Sequence, residues 1–358
     1  MKLFIVVNNG FENLAKTELT ELVKTESSLF PNILECEVSE TSKIFTFLCH
    51  SQTSRRILVA ITKTKEVETL TLPKNFPWPD FFTSKISFKI EVEGVKGQEN
   101  RFEIARNIAG KVFNFLEPLN ISPFLELKNP QCLLIVFFNG KEYFLGIDLA
   151  GVELNSRYYR VFPHQASFKG DFGYYLARKS GFKSGEKLIV GQCKDGVIPI
   201  EAALFAHQIP VQNTTFFSYQ HYHLFKKVNS PTTLSKKKST VIYAFDEVLP
   251  NIIAARKNAK LAKVQEYIDF QKYSLEDLDV KHEEQSFDRI IFHLTSKDED
   301  KINEIYYQST YLLKPKGTLL LIGRGSWEVS ISSKFTLIEE EEIKKGESVH
   351  KLWVLQKK

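Results

Sequence analysis

From residue 159 onward, short apolar runs and helix-patterned stretches take turns, and few folds accept that order. The apolar runs fall at residues 187–192, 241–245, 267–271, 289–292 and 318–322. Each has the length of a buried strand. Helical patterns fill residues 200–207, 251–262 and 300–313. The first two begin beside prolines, Pro199 and Pro250, where a helix start tolerates a missing N–H. Continuous apolar strands interleaved with helices predict an α/β domain with a parallel, doubly wound sheet. Two further runs, 334–341 and 349–355, meet around Gly346 and read as an antiparallel hairpin closing that sheet.

The N-terminal half reads as α+β. Residues 3–7 are strand-like, and Phe11, Leu14, Ala15, Leu19, Leu22 and Val23 share one helical face. Residues 44–49 read as a strand and 55–62 as a second helix. Pro73, Pro77 and Pro79 crowd around Trp78, a linker signal. Beyond it, residues 88–92 alternate apolar and polar as a half-buried strand does. A helix is expected over 101–116, with Ile104, Ala105, Ile108, Val112 and Phe115 on one face. Asn139-Gly140 separates two apolar runs, 133–138 and 142–149, which predicts a hairpin. The expected modules are residues 1–72, 80–156 and 157–358.

Four scattered cysteines, Cys36, Cys49, Cys132 and Cys193, include no C-x-x-C pair. No metal is expected, and free thiols fit a reducing compartment. The N-terminal apolar run is too short for a signal sequence. No apolar run reaches the roughly 18 residues that span a bilayer. A cytoplasmic protein without a membrane partner is therefore expected. The formal net charge of +5 permits a polyanionic partner without requiring one. Lys236, Lys237 and Lys238 lie in a polar stretch, either a solvated loop or a phosphate-contacting one. His221 and His223 form H-x-H without a third ligand at metal spacing, and the aromatic residues around them read as packing.

One stretch carries a family resemblance. Gly146-Ile147-Asp148-Leu149-Ala150-Gly151, then Leu154, then Arg157-Tyr158-Tyr159-Arg160 follows Asn129-Pro130. This resembles the junction in the THUMP-domain RNA methyltransferases. The resemblance implies an N-terminal ferredoxin-like module, a THUMP RNA-binding module and a Rossmann-like class I methyltransferase domain. It also implies tRNA or rRNA as substrate, S-adenosylmethionine as methyl donor, and an exocyclic guanine nitrogen as target.

The implied donor site matches in part. Within residues 190–203, Cys193, Gly196 and the stretch 198–203 fit the family. Val190 and Gly191 stand where Asp-Pro is expected, and Lys194-Asp195 where Gly-Ser is expected. Asp246 ends the next strand, where a carboxylate can accept both ribose hydroxyls, or can be a helix-capping or surface carboxylate. Asn258-Ala259 matches the family too. Ser274 takes the place of an acidic group near the adenine amine.

The implied catalytic strand end does not match. The family has Asn-Pro-Pro-Tyr or Asp-Pro-Pro-Tyr there, holding the target amine and stacking on a flipped base. Here the tip is His293-Leu294-Thr295-Ser296. His293 is either a replacement base or a structural histidine. The expectation is an RNA-binding family member that is catalytically degenerate. Its phosphate contacts are expected at Arg101, Arg157, Arg160, Lys169 and Lys236 to Lys238, with Arg55, Arg56, Lys96, Arg106 and Lys111 as further candidates. The alternatives are an active guanine-N2 methyltransferase with divergent motifs, and a scaffold docking an active methyltransferase as protein partner.

Overall fold

The computed structural model describes residues 1–214, 217–225, 240–346 and 348–358. It divides into two compact units. The first is Met1–Leu154 with the described part of Gln212–Pro231, and the second is Asn155–Val211 with the described part of Thr232–Lys358.

The first unit opens β1 (Lys2–Val6), α1 (Glu12–Val23), β2 (Ser27–Phe30), β3 (Ile33–Glu37), α2 (Thr41–His50), β4 (Arg56–Thr64). The antiparallel order β2-β3-β1-β4 is ferredoxin-like. Two expectations are corrected here. Residues 44–49 are helical, within α2, and residues 55–62 belong mainly to strand β4. Both are short apolar runs, and periodicity alone does not separate a buried helix from a central strand. Ile57, Leu58 and Val59 are all buried, so β4 shows no alternation.

The unit continues with α3 (Trp78–Phe81), β5 (Ser87–Glu93), α4 (Gln98–Leu116), β6 (Phe124–Leu125), β7 (Cys132–Phe138) and β8 (Tyr143–Asp148). β8 pairs with β7 in the hairpin read at Asn139-Gly140, and with β4 on its other side. The result is one eight-stranded sheet, β2-β3-β1-β4-β8-β7-β5-β6. The proline cluster is not a free linker. Trp78 is buried, donates its indole N–H to Pro73 O at 3.0 Å, and packs 5.2 Å from the Phe115 ring.

A buried charge cluster clasps this sheet. Arg56 on β4 bonds Asp148 of β8 at 2.9 Å, and Glu93 and Glu91 of β5 at 3.0 and 3.3 Å. Burial pushes the Asp148 carboxyl up to about 6, while the Arg56 guanidinium pulls it back.

The second unit contains α5 (Gly170–Lys179), β9 (Leu188–Gly191), α6 (Val197–His207), β10 (Ile242–Asp246), α7 (Leu249–Leu261), β11 (Ile268–Lys272) and α8 (Leu278–Lys281). It ends with β12 (Phe287–His293), α9 (Glu299–Leu312), β13 (Leu313–Arg324), β14 (Phe335–Lys345) and β15 (Ser348–Lys357). The sheet order is β11-β10-β9-β12-β13-β15-β14. Strands β9 to β13 run parallel, while β15 is antiparallel to both β13 and β14. The architecture is the doubly wound Rossmann-like sheet with a terminal hairpin. Succession runs outward from β9 through β10 on one side and resumes with β12 on the other. That reversal opens a crevice beyond the carboxyl ends of β9 and β12, the usual ligand position in an open α/β sheet. Among the described residues no helix is long and apolar enough to cross a membrane.

The Arg56 cluster gives a test. Replacing Arg56 with Met leaves Asp148 buried without its cation. The unfolding free energy in urea should fall by about 3–5 kcal/mol at pH 8. The variant's Asp148 pKa lies still further above its unfolded value, so the folded form takes up a proton as pH falls through it. The deficit should therefore shrink between pH 8 and pH 5; a deficit that grows on acidification would refute this account.

Candidate functional site

The turn after β9 is built by two close approaches. A side chain at Gly191 would collide with the Phe292 ring across the β9–β12 pairing. Gly196 starts α6 with φ +81°, and a Cβ there would lie 2.9 Å from the Ala255 Cβ of α7. Between them, Gln192 and Lys194 hold left-handed φ values of 53° and 52°. Such a conformation costs a non-glycine residue about 1–2 kcal/mol. Bonds that fix the turn offset it: the Cys193 N–H donates to Phe245 O at 3.0 Å, and the Gly196 N–H to Cys193 O at 2.9 Å.

This backbone aims Lys194 across the crevice. Its Nζ donates to His293 Nδ1 at 2.6 Å and to Ala166 O at 3.1 Å. His293 ends β12, and its ring lies 4.8 Å from the buried Phe168 ring. Burial pushes the Lys194 ammonium down to about 8. Burial and the neighbouring cations, first Lys194, hold His293 well below the usual histidine range. The neutral imidazole is therefore the acceptor in this contact.

Asp246, at the end of β10, is 5% exposed and already engaged. One oxygen accepts the Lys194 N–H at 3.0 Å. The other accepts the Val248 N–H and the Asn251 side-chain N–H, both at 3.0 Å. Asp246 thus ties the β9 turn to the start of α7.

Lys194, Asp246 and His293 line one cleft of about 440 Å³ with Gln192, Trp327, Lys345 and His350. Of the residues singled out in the sequence, Asp246 and His293 line this one cleft. Cys193 and Gly196 lie in the turn but not on the cleft wall. Ser274 is elsewhere: its hydroxyl and backbone N–H both donate to Asp277, capping a short helical turn. Lys345 and His350, from the terminal hairpin, went unseen, because nothing in their local sequence marks a site.

The expected phosphate contacts separate. Arg157 is not at the surface: its side chain is 0% exposed and bonds Glu201 at 2.7 and 3.1 Å. A guanidinium so placed holds the fold rather than a phosphate. Arg160 pairs with buried Asp195 at 2.9 Å. Arg55 and Arg56 are taken up by carboxylates, and Lys111 by the carbonyls of Glu68 and Leu70. Arg101, Lys96 and Arg106 are exposed, the first and last of them on α4, as is Lys169 beside α5. Lys236, Lys237 and Lys238 lie outside the described residues. Among the described residues no group of three or more His, Cys, Asp or Glu is placed to hold a metal ion.

The fit to S-adenosylmethionine can be tested on these contacts. A carboxylate offers about four acceptor positions. Asp246 spends three on the chain's own donors, which leaves too few for a two-hydroxyl grip on ribose. The turn that should expose backbone to the donor instead carries a lysine side chain. The donor's sulfonium is a cation, and the cleft wall carries Lys194, Lys301, Arg324 and Lys345 against Asp246 and Glu247. The residues present do not fit this donor.

The depressed Lys194 makes a prediction. Between about 8 and the ordinary lysine value the unfolded chain binds more protons than the folded one, so stability rises with pH across that window. Lys194→Met should be more stable than the parent at pH 7, by up to about 3 kcal/mol. The gain should vanish by pH 10.5 in paired urea titrations; a pH-independent difference would contradict it.

Comparison with known proteins adds the family. Residues 66–148 match the THUMP domain, and residues 157–295 match the RmkL-like methyltransferase domain, UPF0020. A tRNA (guanine(6)-N2)-methyltransferase of Archaeoglobus fulgidus is 28% identical over 173 residues, 48% of this chain and 42% of that protein. The chain thus spans under half the length of that relative. TrmN from Thermus thermophilus superposes with a TM-score of 0.72 at 17% identity, covering 100% of this chain and 99% of its own. SMU.472, solved in complex with SAH, superposes with a TM-score of 0.74 at 14% identity, covering 99% and 97%. At such identities the two structures speak for the fold alone. The chain carries a THUMP domain followed by an RmkL-like methyltransferase domain, an order consistent with the THUMP-domain RNA methyltransferases that its junction resembles.

Proposed function

We propose that this chain is a cytoplasmic RNA-holding member of its family, acting on tRNA or rRNA, whose methyltransferase-fold domain has exchanged methyl transfer for another use. The observation that carries the reading is the Lys194–His293 contact. It joins the donor turn to the strand end, so the two motif departures meet at one point. The proline-fixed carbonyl that should accept the target amine has no counterpart in His293-Leu294-Thr295. RNA as partner is supported by the THUMP domain at 66–148 and by the tRNA-directed activity of the Archaeoglobus relative. The exposed Arg101 and Lys169 are the phosphate contacts we assign.

A second reading, S-adenosylmethionine-dependent guanine-N2 methylation, is favoured by that same relative and by Asp246 standing at the end of β10. Calorimetry and a methyl-transfer assay separate the two. On the first reading, neither S-adenosylmethionine nor S-adenosylhomocysteine binds below millimolar concentration, and unmodified tRNA gains no methyl group. Saturable donor binding that is lost in Asp246→Ala, together with transfer to RNA, would establish the second reading instead.

RNA holding has its own readout. The full chain should bind bulk tRNA with an affinity that falls steeply with salt. Arg101→Ala and Lys169→Ala should each weaken binding across all sequences and reduce the slope of log K against log salt by about 1. Salt-insensitive binding, or none, would remove RNA as the partner. It would leave a scaffold for an active methyltransferase, seen by co-purification.

A further inference from the structure

The cleft that does not suit a sulfonium suits an anion. Lys194 reaches into it from the β9 turn, Arg324 from the end of β13, and Lys345 and His350 from the terminal hairpin. These groups come from separate elements and converge on one space of about 440 Å³, which is the size of a small-ligand site. Opposing acidity is weak. Asp246 is committed to three donors, and Glu247 is exposed at the rim. Asp195 lies behind the wall with its oxygens on Arg160, Ser167 and the His164 N–H.

Several donors remain for a ligand. Lys345 makes one bond among the described residues, to Ser167 O at 2.7 Å, and an ammonium has three N–H groups. Arg324 is exposed, makes no ion pair with a described residue, and lies over the Trp327 ring, 5.9 Å from its centroid. Gln192 has a buried side-chain oxygen without a partner, although it lines the cleft. Trp327, largely buried, gives the wall an aromatic face.

We propose that this cleft binds a nucleoside monophosphate group, its phosphate held by Lys194, Lys345, Arg324 and His350, its base against Trp327 and a hydroxyl or amine on Gln192. Phosphate is favoured over carboxylate because two lysine point charges and an arginine fork, from three separate elements, supply more donors than a carboxylate's two oxygens need and suit a tetrahedral anion. Beyond burial, which comes first for both, like charge holds the two histidines down: Lys194 and Lys345 act on His293, and Lys345, Lys194 and Arg324 act on His350. An anion relieves that repulsion. The proposal rests on the reading that the methyl donor is not the ligand of this site, but not on RNA holding.

The phosphate has two sources, a free nucleotide or the end of an RNA chain, and one experiment distinguishes them. Histidine side-chain NMR of the full-length protein is followed on adding inorganic phosphate, GMP, guanosine or S-adenosylmethionine. GMP should move the His293 and His350 signals and raise both titration midpoints, phosphate should do so more weakly, and guanosine should not. Lys194→Met and Lys345→Gln should each weaken GMP at least about tenfold, the loss of one charge-assisted bond. Lys314→Met, far from the cleft and paired with Asp288, should not. A 5′-phosphorylated RNA oligomer that binds about tenfold tighter than its 5′-hydroxyl form, and is displaced by GMP, identifies the RNA end; equal binding identifies the free nucleotide. Silence toward both GMP and phosphate overturns the proposal and leaves the RNA-holding reading standing. Histidine shifts with S-adenosylmethionine alone overturn both the proposal and the loss of donor binding.

Discussion

In the second unit, everything near the cleft depends on a buried ion pair, Arg157 with Glu201. Both side chains are fully buried, and the Tyr159 hydroxyl donates to the same carboxylate at 2.6 Å. A charge pair in such a place costs several kcal/mol in desolvation for each ion, so only dense bonding makes it tolerable. What it secures is the segment between Asn155 and Asp171, themselves joined at 2.8 Å. That segment then serves the turn. Arg160, the His164 N–H and Ser167 hold Asp195, while Ala166 O receives the Lys194 ammonium. Gly170 fits beside the pair because a Cβ there would strike both Arg157 and Glu201. The strained backbone at Gln192 and Lys194 persists because its neighbours over-determine it.

The same pair shows why Arg157 was misread. In the sequence, Arg157-Tyr158-Tyr159-Arg160 is a basic, aromatic cluster, a pattern that suits RNA. Its partners, Asp195 and Glu201, lie more than 30 residues away in chain order. No periodicity links an arginine to a carboxylate at that distance. Glu201 also sits in an otherwise apolar helix whose every face is buried, so it shows no polar side.

Legibility differs between the units for a related reason. The parallel strands of the second sheet were readable because they are largely buried and separated by helices, two of which begin beside prolines. In the first unit the order of types was inverted at α2 and β4, yet the ferredoxin-like order emerged, because the resemblance carried it where patterning did not. The β2–β3 hairpin was missed altogether. Its turn, Pro31-Asn32, has Asn32 at φ +63°, and the Pro-Asn pair between Phe30 and Ile33 was the available signal. α5 was missed because Gly170 and Gly173 read as helix breakers; Gly173 is there to let the helix pack closely, since a Cβ would meet the Val197 side chain at 2.7 Å.

The residues that matched the family deserve a physical account separate from any donor. Gly196 is demanded by φ and by Ala255. Cys193 is a buried thiol whose N–H bridges β9 to β10. Asn258 bonds both the N–H and the carbonyl of Phe162, and the Asp195 carbonyl. Asp246 fastens the turn to α7 through three donors. Each is required to shape the crevice, whatever enters it. The departures are of two kinds: Gly191 and Asp195 help to shape the turn, while the side chains of Lys194 and His293 line the cleft itself. A motif match of this kind therefore testifies to the scaffold. The chemistry is read from the side chains that point into the space the scaffold encloses, and here those are cations facing a neutral histidine.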